Sequence, residues 1–180
     1  MSDGNPVGEN QQFGPWPIAD TEIFATSSLS YAFVNLKPIV PGHVLVSPKQ
    51  VVPRFTDLTP SQVSDLWTLA QRVGRMLEVH YRVSSLTFAI QDGVEAGQSV
   101  PHVHVHVLPR VKGDFEPNDK VYDALDAAEA GRAGAGAEDI VAKKKNDLDE
   151  DRVARSAAEM ADEAARYRSY FDKQTVDEMR

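Results

Sequence analysis

A chain of 180 residues is long enough for one globular domain with a sizeable core and some length to spare. Hydrophobic residues at 42% and charged residues at 26% match ordinary soluble composition, and a net charge of -8 disfavours duplex nucleic acid as a partner. With no cysteine, disulfides, thiolate zinc sites and a cysteine nucleophile are excluded.

No apolar stretch approaches the ~18–20 residues of a membrane span. The polar segment 1–12 has no basic-then-apolar signal pattern and reads as a disordered lead, which makes the cytosol the expected compartment. Lys143-Lys144-Lys145 could add a nuclear signal, although a lone triplet is more often a solvated loop. The rest, 13–180, reads as a single domain.

Ile23–Thr26 and Tyr31–Leu36 read as a strand hairpin, and His43–Ser47 as a third strand stopped by Pro48. Thr59, Pro60 and Gln62 supply an N-cap, a first-turn proline and a capping box. Val63, Leu66, Trp67, Ala70, Val73 and Leu77 follow with helical spacing, which predicts a helix to about His80 with that face in the core. His80 itself reads as a C-terminal cap or surface residue. Leu86–Gln91 alternates as a strand with Leu86, Phe88 and Ile90 on a well-buried face. His102–Leu108 forms the last strand, ended by Pro109. The Ala/Gly-rich tract at about 127–146 reads as a mobile insertion, because it has too little apolar bulk to offset the cost of ordering. A final helix is expected over Asp149–Phe171, with Val153, Ala157, Met160, Ala164, Tyr167 and Phe171 as its apolar stripe. This order predicts an α+β fold: a five-stranded antiparallel sheet with two main helices, covered on one side.

The chemistry concentrates in four histidines: His43, and His102, His104 and His106. Spacing of two on a strand turns the last three to one face and Val103, Val105 and Val107 to the other. Valine suits a packed face, whereas three imidazoles each need polar partners. A lone strand histidine is usually structural, and three in register are not an ordinary core. A metal site is one alternative. His102 and His106 lie ~13 Å apart along a strand, so one zinc ion cannot readily take all three; a pair with His43 and a carboxylate could. A row of contacts to one extended, charged substrate is the other, and a polyphosphate has the right scale. Neutral imidazole is a good nucleophile near pH 7, and a backbone carbonyl on its other nitrogen would fix the attacking tautomer. The preceding loop, 92–100, adds Gly97 for close backbone approach and Gln98 and Ser99 as uncharged donors.

The run His102-Val103-His104-Val105-His106-Val107-Leu108 resembles the histidine triad family of nucleotide hydrolases and transferases. The segments 34–46 and 85–93, the turn Glu95-Ala96-Gly97-Gln98, Leu108-Pro109-Arg110, Gly113-Asp114-Phe115 and Asn118-Asp119 are similar to the fragile histidine triad branch. The resemblance spans about Phe13–Asp126 and resumes around Glu159–Phe171. That branch cleaves diadenosine triphosphate and related dinucleotides. The resemblance therefore implies a bis(5'-adenosyl)-triphosphatase activity giving AMP and ADP. His104 would attack the α-phosphorus to form a nucleotidyl-histidine that water hydrolyses. His106 would contact the phosphates, and His102 and His43 would support the site, with the His102 carbonyl as the tautomer-fixing acceptor. Asn35 would hold the ribose. Gln91, Gly97, Gln98, Ser99 and Val100 would meet phosphate, and Tyr122 matches a tyrosine of the family's mobile loop. The resemblance also implies a homodimer with sheets joined across its two-fold axis. A divalent ion, Mg2+ or Mn2+, would accompany the substrate with no protein cage.

Two positions depart from the branch. Ser99 replaces its loop threonine and keeps the hydroxyl, and Trp16 stands near where a histidine is expected. Trp16 either stacks on adenine or belongs to the core, the core being favoured. Four alternatives remain at this point: hydrolysis of a nucleotide phosphoramidate, against which the loop and Leu108-Pro109-Arg110 speak; a transferase, against which His106 speaks; a binding module whose dinucleotide complex signals; and a metal protein, whose tight stoichiometric ion is expected to be absent.

Overall fold

In the computed structural model, residues 11–130 and 153–177 are described. A two-stranded ribbon, β1 (Gln12–Phe13) and β2 (Trp16–Pro17), precedes the main sheet. The sheet contains β3 (Ile23–Thr26), β4 (Ser30–Val34), β5 (Val44–Pro48), β6 (Ser85–Ala89) and β7 (Val105–Arg110). It is antiparallel throughout, in the order β3-β4-β5-β7-β6. The helices are α1 (Pro60–Tyr81), α2 (Lys120–Ala130) and α3 (Ala157–Asp177).

Helix α1 starts where its capping signals lie. Gln62 N–H donates to Thr59 Oγ1, and the Gln62 side chain accepts from Thr59 N–H, so two otherwise orphaned donors are satisfied. Its far end is closed by Arg82 in a left-handed conformation, φ 54°, whose N–H donates to Glu78 O. His80 is therefore not the cap. It is half-buried, with its ring edge-on to Tyr81, Tyr167 and Tyr170, and it ties α1 to α3.

Strand alternation sorts the sheet into two faces. Ala32 and Val34, Val44 and Val46, and Val103, Val105 and Val107 join Leu66, Leu69, Ala70, Val73 and Leu77 of α1 and Met160, Ala164 and Tyr167 of α3 in the main core. Gly74 brings α1 close to β6, where an added Cβ would meet Leu86 Cδ1 at 2.9 Å. The opposite face is covered too, contrary to the one-sided sheet expected. Phe13 of the ribbon packs on Ile23, Tyr31, Phe33 and Leu45, and Val121 and Leu125 of α2 pack on Leu108. Tyr31, Phe33, Leu45 and Leu108 are large apolar groups pointing away from α1, and they need a second layer.

Several boundaries and burials differ from expectation. Gln12 and Phe13 form β1, so the lead is ordered from residue 11; residues 1–10 lie outside the described residues. Ala127–Ala130 finish α2 instead of opening a loop, while the rest of the expected insertion, including Lys143–Lys145 and Asp149, lies outside the described residues. The helix has the spacing Val121, Ala124, Leu125 and Ala128, all buried, and small residues suffice because the neighbouring surface is close. Pro109 is inside β7, paired with Leu86: β5 stops at the Val107 pair, so beyond it one side of β7 needs no donor. Val153 and Ala157 are exposed, and the buried stripe of α3 begins at Met160.

Trp67 and Phe88 are 38% and 39% exposed, although their patterns predict core. Phe88 lies on β6 at the edge of the sheet and Trp67 packs beside it, where a face has neighbours on one side only. Trp16, expected in the core, is 41% exposed on the ribbon. Among the described residues no helix is long and apolar enough to cross a membrane.

Candidate active site

The ordered part of β7 begins at Val105, yet alternation persists back to His102, because Val103 N–H is held by Val52 O at 2.8 Å. All three histidines of the row, and His43, are buried. Each has different partners.

His102 Nδ1 accepts from Gly14 N–H at 3.1 Å, which leaves the proton on Nε2, 2.9 Å from Pro48 O. Ser47 Oγ lies 3.1 Å from the same nitrogen and donates to Val103 O. Burial pushes the His102 imidazole down to about 4, so it is neutral near pH 7. It clamps the ribbon, the end of β5 and the start of the histidine run.

His104 Nδ1 stands 2.8 Å from His102 O. A carbonyl can only accept, so Nδ1 carries a proton and Nε2 faces the site. Phe13 meets the ring edge-on at 4.9 Å.

A third chain of bonds orients His106. Ile39 N–H donates to His43 Nδ1 at 3.3 Å, so the proton of neutral His43 is on Nε2. That nitrogen is 2.9 Å from His106 Nδ1, which must accept, so the His106 proton sits on Nε2 and points into the site. The network thus assigns a lone pair at His104 Nε2 in the neutral ring and a donor at His106 Nε2, with ring centroids 4.9 Å apart. Asn35 Nδ2 lies 3.2 Å and 3.3 Å from the two His43 nitrogens, and Asn35 Oδ1 accepts from Lys37 N–H.

The profile of the HIT domain family matches residues 18–113, over half of the chain, and spans this whole histidine constellation. The chain belongs to the HIT domain family. It is 58% identical over 160 residues to the bifunctional bis(5'-adenosyl)-triphosphatase/adenylylsulfatase FHIT of Arabidopsis thaliana, covering 89% of this chain and 83% of that protein. Identity to the bis(5'-adenosyl)-triphosphatase of Dictyostelium discoideum is 45%, over 89% of this chain and 93% of the other. Among solved structures, a Plasmodium falciparum diadenosine triphosphate hydrolase crystallised with cyclomarin A superposes with a TM-score of 0.70 at 28% identity, covering 94% of this chain and 88% of that one.

The loop before the histidines divides in two. In this HIT domain Ser99 reaches the histidines through a buried carboxylate, Glu129, whereas Gln91 and Gly97 meet Asp126 of α2. Gly97 is left-handed, φ 91°, and an added Cβ would stand 2.7 Å from Gln91 Nε2 and 3.2 Å from Asp126 Oδ1. Gln91 Nε2 donates to Asp126 Oδ1 at 2.7 Å. Gln98 turns elsewhere: its Oε1 accepts from Gly93 N–H and its Nε2 donates to Pro53 O, so it braces the loop. Val100 is buried in the second core beside Phe13. Tyr122 is exposed on α2.

Two site neighbours escaped the sequence reading, and both lie outside the matched residues 18–113. Glu129 of α2 is buried, with Oε2 2.6 Å from Ser99 Oγ and Oε1 3.4 Å from His104 Nε2 and 3.6 Å from His106 Nε2. Burial alone would raise its pKa, but the neighbouring His104 and His106 outweigh that and hold the carboxyl below the usual range. A helical reading of Val121–Ala128 would have placed Asp126 and Glu129 on one face, three residues apart. Arg155 donates through Nε to Asn35 O at 3.0 Å and is ion-paired with Glu163, whose other oxygen accepts from Tyr167 Oη. It fixes the backbone that carries Asn35. No local pattern marks it.

His104, His106 and Glu129 each offer one ligand atom, all within 4.8 Å of one another. A metal ion there would take the His104 lone pair. The chemistry of these atoms suits either metal binding or nucleophilic attack.

Proposed function

We propose that the chain hydrolyses dinucleoside polyphosphates, diadenosine triphosphate foremost, to AMP and ADP. The observation that carries this reading is the proton pattern of the histidine row. His104 presents Nε2 as a lone pair with its opposite nitrogen tied to a carbonyl, and His106 presents an N–H 4.9 Å away, centroid to centroid. The family relationship supports the substrate class: relatives at 45–58% identity carry bis(5'-adenosyl)-triphosphatase names.

In this reading His104 Nε2 attacks the α-phosphorus. The His102 carbonyl stabilises the imidazolium character that develops at Nδ1. His106 Nε2–H donates to the departing or non-bridging oxygen, and Ser99 N–H and Oγ–H, with Gln91, bind the remaining phosphate oxygens. The P–N bond forms as the P–O bond to the leaving ADP breaks. Water then attacks the same phosphorus, releases AMP and returns the pair of electrons to Nε2. Asn35, held by Arg155 through its carbonyl, sits next to His43 where it can reach a ribose. The exposed Trp16 ring is free of the core and can stack on a base. A divalent ion, Mg2+ or Mn2+, travels with the polyphosphate and offsets its charge.

We also infer a homodimer through β6. The other sheet edge, β3, is covered by α3: Phe24 meets Tyr167 and Phe171, and Arg168 donates to Ile23 O. Among the described residues nothing pairs with the outer edge of β6, and Trp67, Phe88 and Leu86 form an apolar strip beside it. A second copy adding its own β6 would continue the antiparallel sheet and bury that strip. A Phe88→Arg substitution should shift the mass measured by sedimentation from dimer to monomer; an unchanged mass removes β6 from the interface.

The deciding assay follows diadenosine triphosphate with Mg2+ in wild type and His104→Asn, beside an adenosine phosphoramidate. AMP and ADP release by wild type, lost in the variant, is expected. Higher kcat/KM on the phosphoramidate would overturn the substrate assignment, and activity surviving in the variant would move the nucleophile.

A further inference from the structure

Glu129 occupies the place where an anionic substrate group belongs. Its Oε2 accepts from Ser99 Oγ–H at 2.6 Å and from Ser99 N–H at 3.3 Å. Its Oε1 lies 3.4 Å from His104 Nε2 and 3.6 Å from His106 Nε2. These are the donors and the nucleophile assigned above to the phosphate, and the carboxylate meets them with two oxygens in one plane. Its side chain is 2% exposed, so water does not screen it.

A phosphate and the carboxylate cannot share the seat, since two anions at ~4 Å repel strongly in a poorly hydrated site.

We propose that Glu129 is a built-in surrogate for the substrate phosphate, which keeps Ser99 and the seat beside His104 and His106 occupied until a polyphosphate displaces it together with the last turn of α2. The proposal rests on His104 as the nucleophile. The start of α2 stays anchored by Val121 and Leu125 on Leu108, while the last turn is held by small residues, Ala127 and Ala128, and by Glu129 itself. The site thereby rejects weakly anionic ligands: only one that supplies its own oxygens to the same donors gains enough to open it.

The test uses the full chain, as wild type and Glu129→Gln, which keeps an oxygen for Ser99 and loses the charge. Calorimetric titration with orthovanadate and with a methylene-bridged diadenosine triphosphate analogue should show binding tighter by about tenfold or more in the variant, with KM lowered in parallel and kcat equal or higher. Equal affinity overturns the proposal. Weaker affinity overturns it too and makes Glu129 a partner of the bound state. Should the variant fail to fold, hydrogen exchange of wild type decides. Amides 127–129 should exchange faster with the analogue bound, and slower exchange means closure over the ligand and overturns displacement. Orthovanadate keeps the two readings separate, because its binding reports on Glu129 even if wild type leaves diadenosine triphosphate uncut.

Discussion

The two faces of the strand ending in β7 have the same spacing and different logic. Val103, Val105 and Val107 are interchangeable volume, all buried in the core that α1 covers. His102, His104 and His106 are three identical residues with two proton patterns set by three different partners. Nδ1 accepts in His102, donates in His104 and accepts in His106, as Gly14, the His102 carbonyl and His43 dictate. The apolar face tolerates exchange because dispersion is non-directional. The imidazole face does not, because each ring nitrogen has a single role set by its neighbour. In the function proposed above, stability and chemistry are therefore carried by opposite sides of one strand.

The sharpest way to separate them is His104→Asn. It should lower kcat/KM by on the order of 10^4-fold or more, since loss of the proposed nucleophile would disable the whole sequence of steps, while the variant still folds and binds the substrate analogue. Loss of folding would mean that the chemical face also carries the core.

Leu66→Ala should do the reverse. Leu66 is fully buried on α1 within the cluster that holds the β7 valines, and truncation should cost about 2–5 kcal/mol in urea denaturation, with kcat of the folded protein unchanged. A parallel fall in kcat would show that packing and chemistry are coupled across the strand.

His102 lies between these extremes, a structural residue in the chemical row. Its folded pKa of about 4 is below the ordinary 6.5, so the unfolded chain takes up a proton that the folded one refuses. The resulting stability is fully present above pH 6.5 and is lost as pH falls towards about 4, a change on the order of 3 kcal/mol. Denaturation midpoints between those pH values should fall in wild type and flatten in His102→Asn; an equal slope in both would assign the acid sensitivity elsewhere.

The smallest effect is expected away from both faces. Thr59→Ala removes the α1 capping box and should cost about 1 kcal/mol in thermal unfolding, with no change in KM.

Much of this arrangement is local and was readable from residue order. The Thr59-Pro60-Gln62 signal starts α1 because capping is settled within four residues. Period-two alternation sorts valine from histidine because successive strand side chains must point in opposite directions. The histidine row meets His43 and Asn35 directly and Ser99 through Glu129, while Gln91 pairs with Asp126 of α2. Gln98 has the right chemistry, but its amide is taken up by Gly93 and Pro53, a loop-closing arrangement no spacing reveals.

The sequence by itself thus determined the sheet, α1, the two faces of the histidine strand and the family. Tertiary structure alone decided which strands lie at the edge, and hence that Trp67 and Phe88 are half-exposed despite core-like spacing. It also decided that an Ala-rich tract closes into α2 and carries Glu129 to His104, 25 residues earlier in the chain, and that Arg155 reaches Asn35 across 120 residues. The reason is physical: periodicity records which way a side chain faces, whereas its neighbours depend on how distant elements pack together.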